Sequence, residues 1–126
     1  RENPGLEKQV TFLGRSPAAH NLMPLMDVVA SPTQFFDAFP TVILEAMESE
    51  CCIIGSDIDA HRAQLVHPEL MFSNGNVEAL AEKLRDLFKN KKTRDQNHAF
   101  VQERRKSYEF DWDAKVVEIL VSGARA

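Results

Sequence analysis

The chain has 126 residues, 44% hydrophobic and 27% charged, which supplies enough apolar area for a core and excludes a disordered segment. That length is one domain's worth and leaves no room for a complete two-domain enzyme. Fifteen Lys and Arg against nineteen Asp and Glu give a net charge of −4, with the basic residues only in short runs, so a dedicated nucleic-acid surface is not expected.

Val10-Thr11-Phe12-Leu13 is a β-branched and aromatic run between turn residues, which predicts a buried strand closed by Gly14. Residues 18–26 read as helical, but Pro24 makes that helix short or restarted. Asp27-Val28-Val29-Ala30 predicts a second strand, followed by Ser31-Pro32. The loop over residues 33–39 carries Phe35, Phe36 and Phe39, more apolar surface than a connection needs, so it is expected to pack or to line a pocket. Pro40 suits the first turn of a helix running to about Ser49. Cys52-Ile53-Ile54-Gly55 is a third strand, ending in Ser56-Asp57, and Leu70-Met71-Phe72 a weaker fourth. Asn76 caps a helix with Val77, Leu80, Ala81, Leu84, Leu87 and Phe88 on one face. A polar helix to about Tyr108 follows the Lys89-Asn90-Lys91-Lys92 break, and a last helix over residues 111–124 carries a stripe of Trp112, Val116, Ile119 and Leu120.

Strands alternating with helices predict an α/β domain over residues 1–126, with a mostly parallel sheet between two helical layers. Ligands in such sheets sit at the carboxyl ends of the strands, here residues 14–16, 31–39 and 55–62. Adjacent Cys51 and Cys52 point to opposite faces of an extended chain and are not expected to bridge. With no zinc spacing, no apolar leader in Arg1-Glu2-Asn3-Pro4-Gly5 and no apolar run near the ~20 residues of a membrane span, a cytoplasmic location is expected.

The sharpest constellation is Asp37-Ala38-Phe39-Pro40-Thr41-Val42-Ile43-Leu44-Glu45, two carboxylates eight positions apart across a loop-to-helix junction. The first-turn amides of residues 39–42, at the positive end of the helix dipole, are a seat for a diphosphate. Glu45 could grip a ribose diol while Asp37 held a sugar, since an ionised carboxylate accepts two hydroxyls at once. The alternative is a loop aspartate favouring the helix start and a solvated glutamate. Asp57, Asp59, His61 and His67 are a weak metal candidate, and no metal is expected, because loop acids with one or two histidines are usually solvated or capping. His20 and His98 have no nearby nucleophile, so a hydrolase triad has no support. Lys89 to Arg94 and Arg104-Arg105-Lys106 read as solvated helix faces, with a weak attraction to an anionic membrane surface as the alternative.

Val10-Thr11-Phe12-Leu13-Gly14, Asp27-Val28-Val29-Ala30-Ser31-Pro32, Phe39-Pro40-Thr41-Val42-Ile43-Leu44-Glu45-Ala46-Met47, Ile54-Gly55-Ser56-Asp57-Ile58 and Val77-Glu78-Ala79-Leu80-Ala81 follow one another in the order and spacing of landmarks of the group-1 retaining glycosyltransferases of GT-B fold. The chain resembles that family over about residues 9–120. Ser56-Asp57-Ile58-Asp59-Ala60-His61-Arg62 is similar to members whose loop reads Ser-Asp-Ile-Pro-x-His-Arg-Glu. The resemblance implies part of a Rossmann-like C-terminal domain that binds a nucleotide-diphosphate sugar as substrate, with no further cofactor. It gives Glu45 the ribose hydroxyls and Asp37 the donor sugar, a catalytic role, and places Ala38, Phe39, Pro40, Thr41 and Val42 along the donor, where residues 39–42 face the diphosphate.

Where the family has glutamate, Asp37 is one methylene shorter; Ala38 and Glu50 replace glycines, Cys52 a proline and Ala63 a glutamate. The resemblance further implies two absent βα units and an absent N-terminal acceptor domain, hence an unpaired sheet edge, with poor monomeric behaviour or dimerisation through it as the expectation. The C-terminal helix would pack toward that acceptor domain or close this domain's own core. A degenerate donor domain, kept as an interaction or regulatory module, is the second expectation.

Overall fold

A computed structural model describes residues 5–6, 8–109 and 111–123; the Trp112 side chain lies outside what it describes. Three of the apolar runs become a parallel sheet, β1 (Val28–Ser31), β2 (Cys52–Ser56) and β3 (Met71–Phe72), in spatial order β1-β2-β3. Val29 is in register with Ile53 and Gly55 with Met71. Parallel neighbours need a crossover, supplied by α1 (Thr41–Glu48) between β1 and β2, and by α2 (Asp59–Leu65) with a 3-10 turn (Pro68–Leu70) between β2 and β3. All five residues of β2 are buried, as a central strand with covered faces requires.

Consecutive side chains of β2 separate the two layers. Ile53 joins a cluster with Val29, with Ile43, Ala46 and Met47 of α1, with Leu65 of α2 and with Val101 of α4 (Lys91–Lys106). Ile54 packs instead with Phe72 and with Leu87 of α3 (Val77–Lys89). Helices thus cover both faces, as predicted.

Helix ends follow local chemistry in part. Pro40 is the N-cap of α1 rather than its first helical residue, with φ −65°. Asn76 caps α3 by accepting from Ala79 N at 2.9 Å, and Asn90 caps α4 by accepting from Thr93 N at 3.4 Å. α1 ends in a Schellman motif: Cys51 N–H donates to Ala46 O at 3.1 Å and Glu50 N–H to Met47 O at 3.1 Å, with Glu50 left-handed at φ 55°.

Several expectations need correction. Residues 10–13 form no strand and are exposed, Phe12 to 92%, because nothing in the described fold offers the run a ladder to join or a face to cover. Residues 14–16 are therefore not at a strand end. Residues 19–25, around Pro24, form a 3-10 helix. Residues 59–62, read as part of the segment at the end of the third strand, belong to a helix over 59–65; its buried side chains are His61, Gln64 and Leu65, mostly polar, so no apolar periodicity announced it. Of the α3 stripe only Leu87 is buried and Leu80 half-buried, while Val77, Leu84 and Phe88 stay exposed.

α4 is not merely a solvated face. Arg94 Nη1 donates to Leu87 O and Phe88 O at 2.7 and 2.8 Å, closing the C-terminus of α3. Arg104 does the same for α2 through Gln64 O and Ala63 O, the latter at 2.8 Å. Arg105 pairs with Glu50 at 2.6 Å. The last helix, α5 (Trp112–Gly123), begins where Asp111 accepts from Ala114 N at 3.0 Å, and residue 124 lies outside the described residues. Val116, Ile119 and Leu120 are exposed, so the described part of the stripe does not close this domain's core. Cys51 and Cys52 are free thiols, and both are buried. Among the described residues β1 has a strand neighbour only on its β2 side.

Candidate functional site

The carboxyl ends of β1 and β2 open into a cleft of about 570 Å³. One wall is the loop after β1, with Phe35, Phe36, Asp37 and Ala38; the other is the start of α2, with Asp57, Ile58, Asp59 and Arg62. The apolar loop expected to line a pocket therefore does so, although Phe35 and Phe36 present most of their surface to solvent. Asn74 Nδ2 donates to Gln34 O at 3.1 Å and ties the loop to the segment after β3.

Asp37 is half-buried, and its Oδ1 accepts from Phe39 N at 3.1 Å, an Asx turn that aims the chain into α1. Residues 39–42 and Glu45 are not on the cleft lining. They continue from its wall: Pro40 is buried, Thr41 exposed, and Val42 packs against the larger core cluster. Glu45 is half-buried one turn beyond Thr41, roughly 6 Å along the axis, and among the described residues its carboxylate has no hydrogen-bond or ion-pair partner. The expected row of four free amides is shorter. Phe39 N–H is committed to Asp37 and proline has no N–H, which leaves Thr41 and Val42 as first-turn donors.

On the opposite wall Arg62 Nε meets Asp57 Oδ1 at 2.6 Å and Nη1 meets Asp59 Oδ1 at 2.7 Å. The guanidinium hydrogen bond holds the Asp57 carboxyl below the ordinary carboxylate range, with the Coulombic attraction in support and partial desolvation opposing. The four metal candidates do not converge: Asp57 and Asp59 face Arg62, His61 is buried between two serines, and His67 stacks on Phe100 with ring centroids 4.1 Å apart. Among the described residues no three acidic, His or Cys side chains are placed to hold a metal, and no helix is long and apolar enough to cross a membrane.

Sequence reasoning missed the buried polar set beneath the cleft. His61 is fully buried, with Nδ1 2.7 Å from Ser56 O and 3.3 Å from Ser56 Oγ, and Nε2 3.2 Å from Ser31 Oγ. Ser56 Oγ donates in turn to Thr33 O. The available signal was Ser31 and Ser56-x4-His61 at the ends of two predicted strands, too short a pattern to read without the fold.

Comparison with known proteins bears on the whole arrangement. No curated protein was found to match the chain. A family model described as "Glycosyl transferases group 1" matches residues 1–106, which takes in the sheet, α1 to α4 and both walls of the cleft, and stops short of α5. With most of its length matched, an α/β fold of the expected layers and the resembling motifs at its strand ends, the chain belongs to the group 1 glycosyltransferases.

Proposed function

We propose that this chain supplies part of the nucleotide-sugar donor site of a retaining glycosyltransferase of GT-B fold. The observation that carries the reading is the placement of Asp37 on the cleft wall eight residues before Glu45, with the free Thr41 and Val42 amides between them. In this reading Asp37 contacts the donor sugar, Ala38 and Phe39 shape the approach, and Pro40 sets the helix start. The N–H groups of Thr41 and Val42 meet the diphosphate at the positive end of α1, and Glu45 holds the ribose diol. Leaving-group departure then depends on electrostatic stabilisation of the diphosphate by those amides and by basic groups outside this chain. No metal enters the scheme. The acceptor is expected on a separate domain, and the location is expected to be cytoplasmic or peripheral at a membrane surface.

The test is calorimetry or ligand-observed NMR with UDP, GDP and their sugars on the full-length protein that bears this chain. Binding that is lost in Glu45→Ala is expected; no binding, or binding indifferent to that substitution, overturns the reading.

One observation favours a second reading, a degenerate donor domain retained as an interaction module. One Asp37 oxygen is engaged in shaping its own loop, so the shorter carboxylate has a structural use without catalysis.

A further inference from the structure

Beneath the cleft the protein commits several polar groups to one imidazole. Ser56 O is a carbonyl and can only accept, so the short contact to His61 requires the proton on Nδ1. In the neutral ring Nε2 is then an acceptor, and Ser31 Oγ–H is the donor that meets it. Ser56 Oγ spends its proton on Thr33 O, the first carbonyl of the 33–39 loop. The backbone makes room as well: a Cβ on Gly55 would sit 2.9 Å from Nδ1 and 3.1 Å from Cγ, so only glycine fits beside the ring. The ring thereby joins the end of β1, the loop that leaves it, the end of β2 and the body of α2.

Ser31 and His61 stand at the distance of a nucleophile and its base, but Ser31 is 4% exposed and His61 0%, so no substrate reaches them. Their partners lie instead at the roots of both cleft walls. We propose that His61 is a positioning residue: with Ser31 and Ser56 it fixes the 33–38 loop against the start of α2 and so sets the distance between Asp37 and the Asp57–Arg62 wall. The role in binding rests on the donor-site reading; the clamp itself does not.

Two variants test it on the full-length protein that bears this chain. Ser31→Ala removes only the Nε2 partner, and His61→Asn keeps a donor for Ser56 O while losing the reach to Ser31. Amide hydrogen exchange is expected to accelerate roughly tenfold at Phe39, the loop amide held by Asp37 Oδ1, in both, with α3 and α4 at wild-type rates. Calorimetric affinity for UDP or GDP is expected to fall by a similar factor. Unchanged exchange in the loop, or equal acceleration across α3 and α4, overturns the clamp. Faster loop exchange with unaltered nucleotide affinity overturns its control of the cleft. If the loop responds while the wild-type full-length protein binds neither UDP nor GDP, the clamp stands and the donor-site reading fails.

Discussion

The side-chain amide of Asn97 takes both backbone hydrogen bonds of Ile53, donating to its carbonyl at 3.0 Å and accepting from its N–H at 3.1 Å. β3 begins opposite Gly55, and Asp57 N–H donates to Phe72 O, so the odd-numbered residues at this end of β2 face β3. Ile53 lies before β3 starts, and a side chain from α4 stands in for the missing strand. Buried backbone groups left unpaired are costly. Asn97→Ala is therefore expected to destabilise the chain by about 2–4 kcal/mol, read as a lower urea midpoint by circular dichroism. Asn97→Leu, which restores volume but no hydrogen bond, is expected not to recover that loss; full recovery would show that the amide only fills space.

Val66 closes α2 with φ 67° and ψ −38°, and His67 N–H donates to Leu65 O at 2.8 Å across it, a γ-turn that a β-branched residue adopts only under strain. The side chain is half exposed and gives little burial in return. Relief of strain of about 1–3 kcal/mol outweighs the ~0.5–1 kcal/mol of extra chain entropy that glycine carries. Val66→Gly is expected to raise stability by roughly 1 kcal/mol in the same unfolding assay, and a loss of stability would contradict the strain.

Glu50 sits in the left-handed position that glycine favours, yet its carboxylate pairs with Arg105 at 2.6 Å and accepts from Gln102 Nε2 at 3.3 Å. An exposed pair contributes at most about 1 kcal/mol, close to the cost of the left-handed residue. Glu50→Gly is thus expected to be nearly neutral, while Glu50→Ala, which loses the pair and keeps the backbone cost, should be less stable by about 1 kcal/mol. Equal midpoints for the two variants would remove the backbone argument.

The Asp57 carboxyl titrates below its unfolded value because Arg62 hydrogen-bonds its charged form. A depressed folded value means that the pairing stabilises the fold above the unfolded value of about 3.9 and that this contribution is lost as pH falls through the folded value. NMR titration of the Asp57 side-chain carbon should show the low midpoint, and Arg62→Ala should move it up toward the ordinary range. No movement would mean that another group holds the carboxylate.

Asp37→Glu separates the two functional readings. The longer side chain reaches further toward a bound sugar but forms the Asx turn to Phe39 N less well, at a cost of up to about 1 kcal/mol. In a weakened enzyme transfer activity should rise despite lower stability. In an inactive scaffold only the stability should change.

Much of this was legible locally. The three sheet strands, α1, the Asn76 cap and the Asp37-to-Glu45 junction follow from apolar runs, capping chemistry and spacing, interactions between residues a few positions apart, and the family motifs ride on the same segments. Residues 10–13 show the limit, since a strand is a property of its partner as much as of its own sequence. The tertiary structure alone decided which polar groups are spent inside the fold: Asn97 on Ile53, Arg94 on the end of α3, Arg104 on the end of α2, and His61 on Ser31 and Ser56. Most of these partners lie between 30 and 44 residues apart in the chain, so packing, not periodicity, brings them together.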